Sequence, residues 1–428
     1  MIDIKLIRQN KELVKENIKK KFQDEKLPLV DEIYDLDEKT RRLKLEGDNL
    51  RKERKDKSNE IGKLMKNKQV EEANKMKEEV SHINEIIALK EKQEEDINNS
   101  IREKMMKIPN IIDDSVPVGK DDSENVEIEK FGDPRVPDYD IPYHADILES
   151  INGLDKESSG RTSGNGFYYL MGDAARISTA MLNYARDYMI DKGFIYCIPP
   201  FMIRSDVVTG VMSFDEMDAM MYKIEGEDLF LIGTSEHSMI GKFKGQMIKK
   251  NSLPITMTSY SPCFRKEVGA HGIEERGIYR VHQFEKQEMI VICNAEESMD
   301  WYNKMWKYTV EIFRNLNIPV RTLECCSGDL ADLKVKSCDV EAWSPRQKKY
   351  FEVGSCSTLG DAQARRLGIR VKGEKENYYP HTLNNTVLAS TRALIAFIEN
   401  NYNEDGSISI PEVLRPYMKN QKEILPRK

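Results

Sequence analysis

The chain predicts an α+β protein in two parts: an N-terminal antiparallel helical arm, then a mixed, mainly antiparallel sheet flanked by helices. Three observations carry this. Over residues 1–110 glycine occurs only at Gly47 and Gly62 and proline only at Pro28 and Pro109. Beyond about Gly166, short β-branched and aromatic runs alternate with few helical ones. A strand–loop–strand pattern between Cys263 and Met289 carries a dense set of charged side chains. The expected domains are 1–110 and 111–428 of the 428 residues.

The arm follows from periodicity. A first long helix is expected from Leu29 to Lys66, with apolar Ile33, Leu36, Leu43, Leu50, Ile61 and Leu64. A second is expected from Val70 to Ile108, with Ala73, Met76, Val80, Ile83, Ile87, Ile97, Ile101 and Met105. Spacings of three, four and seven suit two helices sharing a coiled-coil seam, with a turn near Asn67-Lys68-Gln69. A short helix from Asp3 to Phe22 should pack at the base. Between Lys39 and Lys68 there are 12 Lys or Arg against five Asp or Glu. Arg51, Lys52, Arg54, Lys55 and Lys57 concentrate that charge, which suits an RNA backbone.

Pro117, Pro134, Pro137 and Pro142 mark residues 109–166 as a linker. A helix from Asp173, carrying Ala175, Ile177, Met181, Leu182, Ala185 and Met189, runs to Gly193. The strand Phe194 to Ile198 follows and ends in Pro199-Pro200. Further strands are expected at Asp228–Ile232, Ile255–Tyr260 and Asp339–Trp343, and a helix at Leu388–Asn400.

Bulk properties exclude several classes. Charged residues make up 32% of the chain and the formal net charge is -7. No run of eighteen apolar residues exists, so a membrane protein is not expected. The start has no signal-peptide pattern. Seven scattered cysteines without a C-x-x-C pair suit reduced, cytoplasmic thiols, and no zinc is expected. There is no Walker-type loop and no G-x-G-x-x-G element.

The chemistry concentrates in Phe264-Arg265-Lys266-Glu267 and Arg276-Gly277-Ile278-Tyr279-Arg280-Val281-His282-Gln283-Phe284-Glu285-Lys286-Gln287-Glu288. Arg265 and Glu267 stand two apart, hence on one face of a strand. Gly269 and Gly272 permit an unusual loop. Ile278 to Met289 should return as a second strand, with Ile278, Arg280, His282 and Phe284 on one face. Arg265 and Arg280 offer planar forks for phosphate oxygens, and Phe284 a flat surface for a base. Such a hairpin suits a polyphosphate nucleotide held beside an amine or hydroxyl substrate.

This segment resembles motif 2 of class II aminoacyl-tRNA synthetases, in the form typical of seryl-tRNA synthetases. The helix–strand–Pro order of Asp173–Pro200 resembles motif 1, which implies a homodimer interface. His381-Thr382-Leu383-Asn384-Asn385-Thr386 with Arg392 resembles motif 3. Tyr350-Phe351-Glu352-Val353-Gly354-Ser355-Cys356-Ser357 resembles the family's Glu-x-x-Ser-Cys-Ser element, with Gly354 and Thr358 where serine and asparagine are common. The resemblance runs from Met1 to about Pro426. The Val268 to Gly272 loop and the Asn384 to Thr386 segment look nearer the archaeal and eukaryotic branch.

The resemblance implies activation of serine with ATP and Mg²⁺, then transfer to tRNA(Ser) gripped by the arm. It implies a nucleotide site of Arg265, Lys266, Glu267, Arg280, Phe284, Glu352, Val353, Gly354, Ser355 and Arg392, with Arg265, Glu352 and Arg392 catalytic. Arg280 should serve the outer phosphates, Arg392 should clamp the γ-phosphate and cover the base opposite Phe284, and Glu352 and Ser355 should hold the ATP's Mg²⁺. A serine site is implied at Thr234, Ser235, Glu236, Arg265, Glu288, Asn384 and Thr386. Two other classes remain open: an amino acid:carrier-protein ligase, which would lack the arm, and a non-catalytic RNA-binding paralogue, which would not need Arg265, Glu288, Glu352 and Arg392.

Overall fold

The computed structural model describes residues 1–267 and 277–427. The glycine loop at Gly269 and Gly272, and Arg276, lie outside the described residues. The chain forms two compact units, one of Ile2–Lys19 and Gln23–Pro109, the other of Met1, Lys20–Phe22 and Asn110–Lys428.

In the smaller unit, α1 spans Ile4–Lys20, α2 Leu27–Lys66 and α3 Val70–Met105. The 40 residues of α2 make a rod about 60 Å long. Pro28 sits in its first turn, where no N–H is missed. Lys68, at φ 60°, makes the left-handed turn into α3. Val30, Ile33, Ala73, Ile83, Ile87 and Ile101 are buried along the seam. Arg8 and Lys15 of α1 pair with Asp37 and Asp31 of α2, at 2.6 and 2.7 Å, which fixes α1 beside the start of the rod.

The larger unit is built on eight strands: β1 (Val126–Phe131), β2 (Ile195–Cys197), β3 (Ile255–Phe264), β4 (Gln283–Cys293), β5 (Val320–Glu324), β6 (Lys336–Ser344), β7 (Lys349–Thr358) and β8 (His381–Ala389). Their order is β1-β5-β6-β7-β8-β4-β3-β2. Every pair is antiparallel except β2 with β3 at one edge. Three long helices pack against it: α4 (Gly172–Asp191), α6 (Ser298–Asn315) and α7 (Ser390–Asn401). The short helix α5 (Ser235–Gly241) covers part of β3 and β4. Met181, Phe313, Val340, Leu383 and Phe397 belong to one continuous core under the sheet.

The structure changes four expectations. Residues 109–166 are more than a linker: Val126–Phe131 pairs with β5 and closes the sheet's far edge, and His144–Ser150 is a helix. The expected strand Asp228–Ile232 shortens to Phe230–Leu231. The return strand begins at Gln283, not Ile278. Ile278 is buried while the Arg280 side chain is half exposed, so the two do not share a strand face. The cause is hydrogen bonding. Ile278 N–H donates to His144 Nε2 at 3.1 Å, and the Gly277 carbonyl accepts from Lys156 Nζ at 2.9 Å. These two backbone groups, taken by side chains, are not available to a ladder. Likewise, β3 ends at Phe264. Arg265 to Glu267 run on beyond it, with Glu267 at φ 48°.

Candidate functional site

A cavity of about 380 Å³ opens over the middle of the sheet. Its floor is set by strand alternation. Phe284, Lys286 and Glu288, spaced by two, share a face of β4. Thr386 of β8 stands opposite Glu288 in register. Arg265, Glu267 and Arg280 line the cavity from the ends of the hairpin, and Arg392 lines it from α7. Thr234, Glu236, Glu352, Val353, Gly354, Ser355 and Asn384 also line it, so nearly the whole expected set converges.

A bulge in β7 makes one part of this possible. Glu352 and Ser355 are three apart and would point to opposite faces of a regular strand. Asp339 pairs with Ser355, Val340 with Gly354, but Glu341 pairs with Glu352. Val353 is therefore the extra residue, and it turns Glu352 and Ser355 toward the same cavity. Gly354 fits beside it: a Cβ there would lie 3.3 Å from the Thr386 carbonyl oxygen, a tight approach. Thr358, the other departure, is buried and within 3.1 Å of the Ser298 hydroxyl.

The charges fall into two groups. In the first, Lys286 Nζ lies 2.5 Å from a Glu288 carboxylate oxygen, both nearly fully buried. The Thr386 hydroxyl donates to the same Glu288 at 3.5 Å. Glu236 accepts from Gln363 Nε2 at 2.8 Å, and Gln363 in turn accepts from the Thr382 hydroxyl at 2.6 Å. Burial, and then the nearby Glu288 charge, push the Glu236 carboxyl up to about 7. Burial, with Lys286 and Arg265 nearby, lowers His237 to about 3, so its ring is neutral. Thr234 caps α5, its hydroxyl accepting from Glu236 N–H at 3.4 Å.

In the second group, Arg392 Nη1 donates to Glu352 at 2.7 Å and its guanidinium lies 4.7 Å from the Tyr279 ring centre. Burial works to raise the Glu352 carboxyl, but Arg392, with Lys334 and Arg265, outweighs it and holds it low. Burial and the Glu352 charge push Asp339 up to about 7. Lys334 sits among them, raised because Asp339 and its neighbours outweigh burial. Arg265 Nε donates to the Gly233 carbonyl at 3.2 Å, and its guanidinium lies 5.3 Å from the Phe284 ring centre. Arg280 and Glu267 approach to 3.7 Å. Arg392 thus lies over Tyr279 and is engaged with Glu352, and it lines the same cavity as Phe284.

Two expected residues stand off the cavity wall. Ser235 is fully buried, and its hydroxyl has no partner among the described residues. Lys266 tethers the chain instead, its N–H donating to Met220 and its Nζ to Asp218, both backbone carbonyls. Sequence reasoning missed Lys286, Gln363, Asp339 and Lys334. The period of two that places Phe284 and Glu288 together also signals Lys286. Gln363 carries no such signal.

On the arm, the five basic residues divide. Arg51 pairs with Asp48 and with Glu91 of α3, at 2.8 and 2.9 Å. Arg54 donates to Asn84 at 3.1 Å, and Lys57 pairs with Glu79 at 2.6 Å. These three tie α2 to α3. Lys52 and Lys55 are exposed and form no ion pair among the described residues.

Comparison with known proteins agrees with this layout. Residues 1–112 match the seryl-tRNA synthetase N-terminal domain family, and 221–401 the tRNA synthetase class II core domain of the G, H, P, S and T group. A serine–tRNA ligase from Thermococcus sibiricus is 42% identical over all of this chain and 98% of its own length. A seryl-tRNA synthetase structure from Pyrococcus horikoshii complexed with ATP superposes with a TM-score of 0.95, at 39% identity and full coverage of both chains. The cytoplasmic serine–tRNA ligase from Naegleria fowleri in complex with AMP gives 0.90 at 31% identity, covering all of this chain and 99% of its own.

Proposed function

The chain belongs to the seryl-tRNA synthetase family, and from that premise we propose how its residues divide the work of activating L-serine with ATP and charging tRNA(Ser). The observation that carries the assignment is the cavity floor, where a buried Lys286–Glu288 pair, Thr386 and Glu236 stand beside a cluster of arginines.

In the first step a serine carboxylate oxygen bonds to the α-phosphorus of ATP and pyrophosphate leaves. Both reactants are anionic, so alignment and cationic surroundings matter more than an acid or base. Arg265 spans carboxylate and α-phosphate, and Arg280 meets the outer phosphates. Phe284 receives the adenine, while Glu267 takes the nucleotide's edge. Arg392 serves the γ-phosphate once it exchanges part of its hold on Glu352 for the ligand. Glu352 and Ser355, turned together by the bulge and flanked by Asp339, fit a hard cation with oxygen ligands. Mg²⁺ brought with ATP would neutralise phosphate charge there. Glu236 and Thr234 receive the serine ammonium. Glu288 and Thr386 read its hydroxyl, with Asn384 beside them. In the second step a tRNA 3′-terminal hydroxyl attacks the seryl carbonyl carbon and AMP leaves.

The arm binds RNA through its outward lysines, Lys52 and Lys55, while Arg51, Arg54 and Lys57 keep the two helices in register. Two subunits join through the edge around β2, where Ile195 and Ile198 are 64% and 69% exposed. Among the described residues no helix is long and apolar enough to cross a membrane; the enzyme works in the cytoplasm.

Serine-dependent ATP–pyrophosphate exchange tests the function itself. A site that hydrogen-bonds a hydroxyl leaves buried groups unpaired with alanine. Serine should therefore stimulate exchange roughly a hundredfold or more over alanine, and equal stimulation would sink the assignment.

The position of Glu236 predicts a pH dependence. Below about pH 7 its raised carboxyl binds a proton and cannot offer charge to an ammonium. The KM for serine should rise severalfold as pH falls from about 8 to about 6. Glu236→Gln should raise it at all pH values and flatten the profile; an unchanged slope in this variant contradicts the role.

Lys52→Ala/Lys55→Ala should leave exchange intact and weaken tRNA charging. The slope of log affinity against log salt should drop by about 1.5 to 2, the amount for two phosphate contacts. An unaltered slope would remove these lysines from the RNA surface. Ile195→Asp should convert dimer to monomer in light scattering, and a wild-type monomer with full activity would refute the interface.

A further inference from the structure

Arg280 and Tyr279 are placed by a short stretch whose own backbone pairs with no strand. Its anchor comes from residues that the sequence presents as a linker. His144, the first residue of the helix His144–Ser150, is 3% exposed. Its Nε2 accepts the Ile278 N–H at 3.1 Å. A ring nitrogen that accepts must be unprotonated, so His144 acts as a neutral imidazole. Gly277 packs so close that a Cβ there would lie 2.1 Å from His144 Nε2 and 2.4 Å from the Tyr143 hydroxyl. Lys156 Nζ donates to the Gly277 carbonyl at 2.9 Å.

Beyond this anchor lies the nucleotide end of the cavity. Tyr279 lies between Arg392, at 4.7 Å, and Phe351, at 5.8 Å between ring centres. Arg280 comes next and meets Glu267. The chain is then fixed again, by Arg265 N–H to the His282 carbonyl and His282 N–H to the Gly166 carbonyl, both at 2.9 Å. Tyr279, Arg280 and Val281 lie between these two points, so where Ile278 is held bears directly on the course of Tyr279 and Arg280.

We propose that His144, supported by Lys156, is a positioning residue for ATP: by holding the Gly277–Ile278 backbone it sets the direction of Tyr279 and Arg280, and hence the seat of the outer phosphates. The inference rests on the nucleotide role given above to Arg280 and Arg392. It concerns ATP and not serine, because Glu236, Glu288 and Thr386 stand on α5, β4 and β8, which His144 does not anchor.

The test uses His144→Ala, His144→Gln and Lys156→Ala in the full chain. Calorimetric titration measures ATP and serine affinity, and hydrogen exchange follows the peptide containing Ile278. Gln carries an acceptor oxygen near the place of Nε2, so it should keep the bond. His144→Ala should weaken ATP binding about tenfold, the consequence of leaving one buried N–H unpaired. Serine affinity should stay unchanged and the Ile278 peptide should exchange faster. His144→Gln should recover most of both effects, and Lys156→Ala should shift ATP affinity in the same direction by less. Unchanged ATP affinity or unchanged Ile278 protection in His144→Ala overturns the proposal, as does His144→Gln behaving like alanine. If His144→Ala does not fold, Lys156→Ala and His144→Gln decide between the same outcomes. Failure of the unaltered protein to bind ATP would instead overturn the nucleotide reading, and the Ile278 exchange rates would still decide whether the anchor exists.

Discussion

The catalytic unit depends on keeping unlike charges paired in a place where water does not reach them. Lys286 and Glu288 are both nearly fully buried. Removing one partner of such a pair leaves an uncompensated charge, at a cost of about 3–5 kcal/mol. The sheet must therefore hold β4 and β8 in one register, with Thr386 opposite Glu288. Slipping by one residue would turn Lys286 and Glu288 into the apolar core. The arrangement that makes the floor of the cavity chemically useful also gives the two central strands only one acceptable pairing.

The same constraint explains why the two ends of the cavity differ. At the Glu236 end burial, and then the nearby Glu288 charge, raise one carboxyl to about 7. A ligand bringing an ammonium would supply the missing positive charge. At the Arg392 end, Glu352 is held low by its arginine while Asp339 rises. A metal ion would relieve Asp339 and free Arg392 for phosphate. Each end is thus incomplete in the charge that one reactant brings, which favours binding both substrates in a single orientation.

Much of this was legible because periodicity survives burial. The long helices begin and end within about three residues of their expected limits, since the apolar repeat of their seam continues through Gly47 and Gly62 and Pro28 falls in the first turn. The sheet-floor residues were legible as alternating positions on short strands. What failed did so for local reasons. Ile278 to His282 alternates like a strand, yet the Ile278 N–H and the adjoining Gly277 carbonyl are taken by His144 and Lys156, whose distance in sequence hides them. The Glu352–Ser355 spacing contradicts strand alternation until the bulge at Val353 is known. Ser235 looked like part of a binding turn, but it points into the interior beside a helix cap formed by Thr234.

The arm shows why a count of charges does not separate side chains with different surroundings. A count of basic side chains treats Arg51, Lys52, Arg54, Lys55 and Lys57 alike. Helical geometry does not. Arg51, Arg54 and Lys57 are spaced by three and track one side of α2, the side that faces α3, where Glu91, Asn84 and Glu79 meet them. A rod of two helices with a narrow apolar seam has little core to set its register, and exposed ion pairs worth under about 1 kcal/mol each become relevant when several act together. Lys52 and Lys55 fall one position further round the helix. There they meet no acidic partner among the described residues, and their charge remains available to a polyanion. The division is imposed by the 3.6-residue turn: the same short run of sequence must both close the hairpin and face outward.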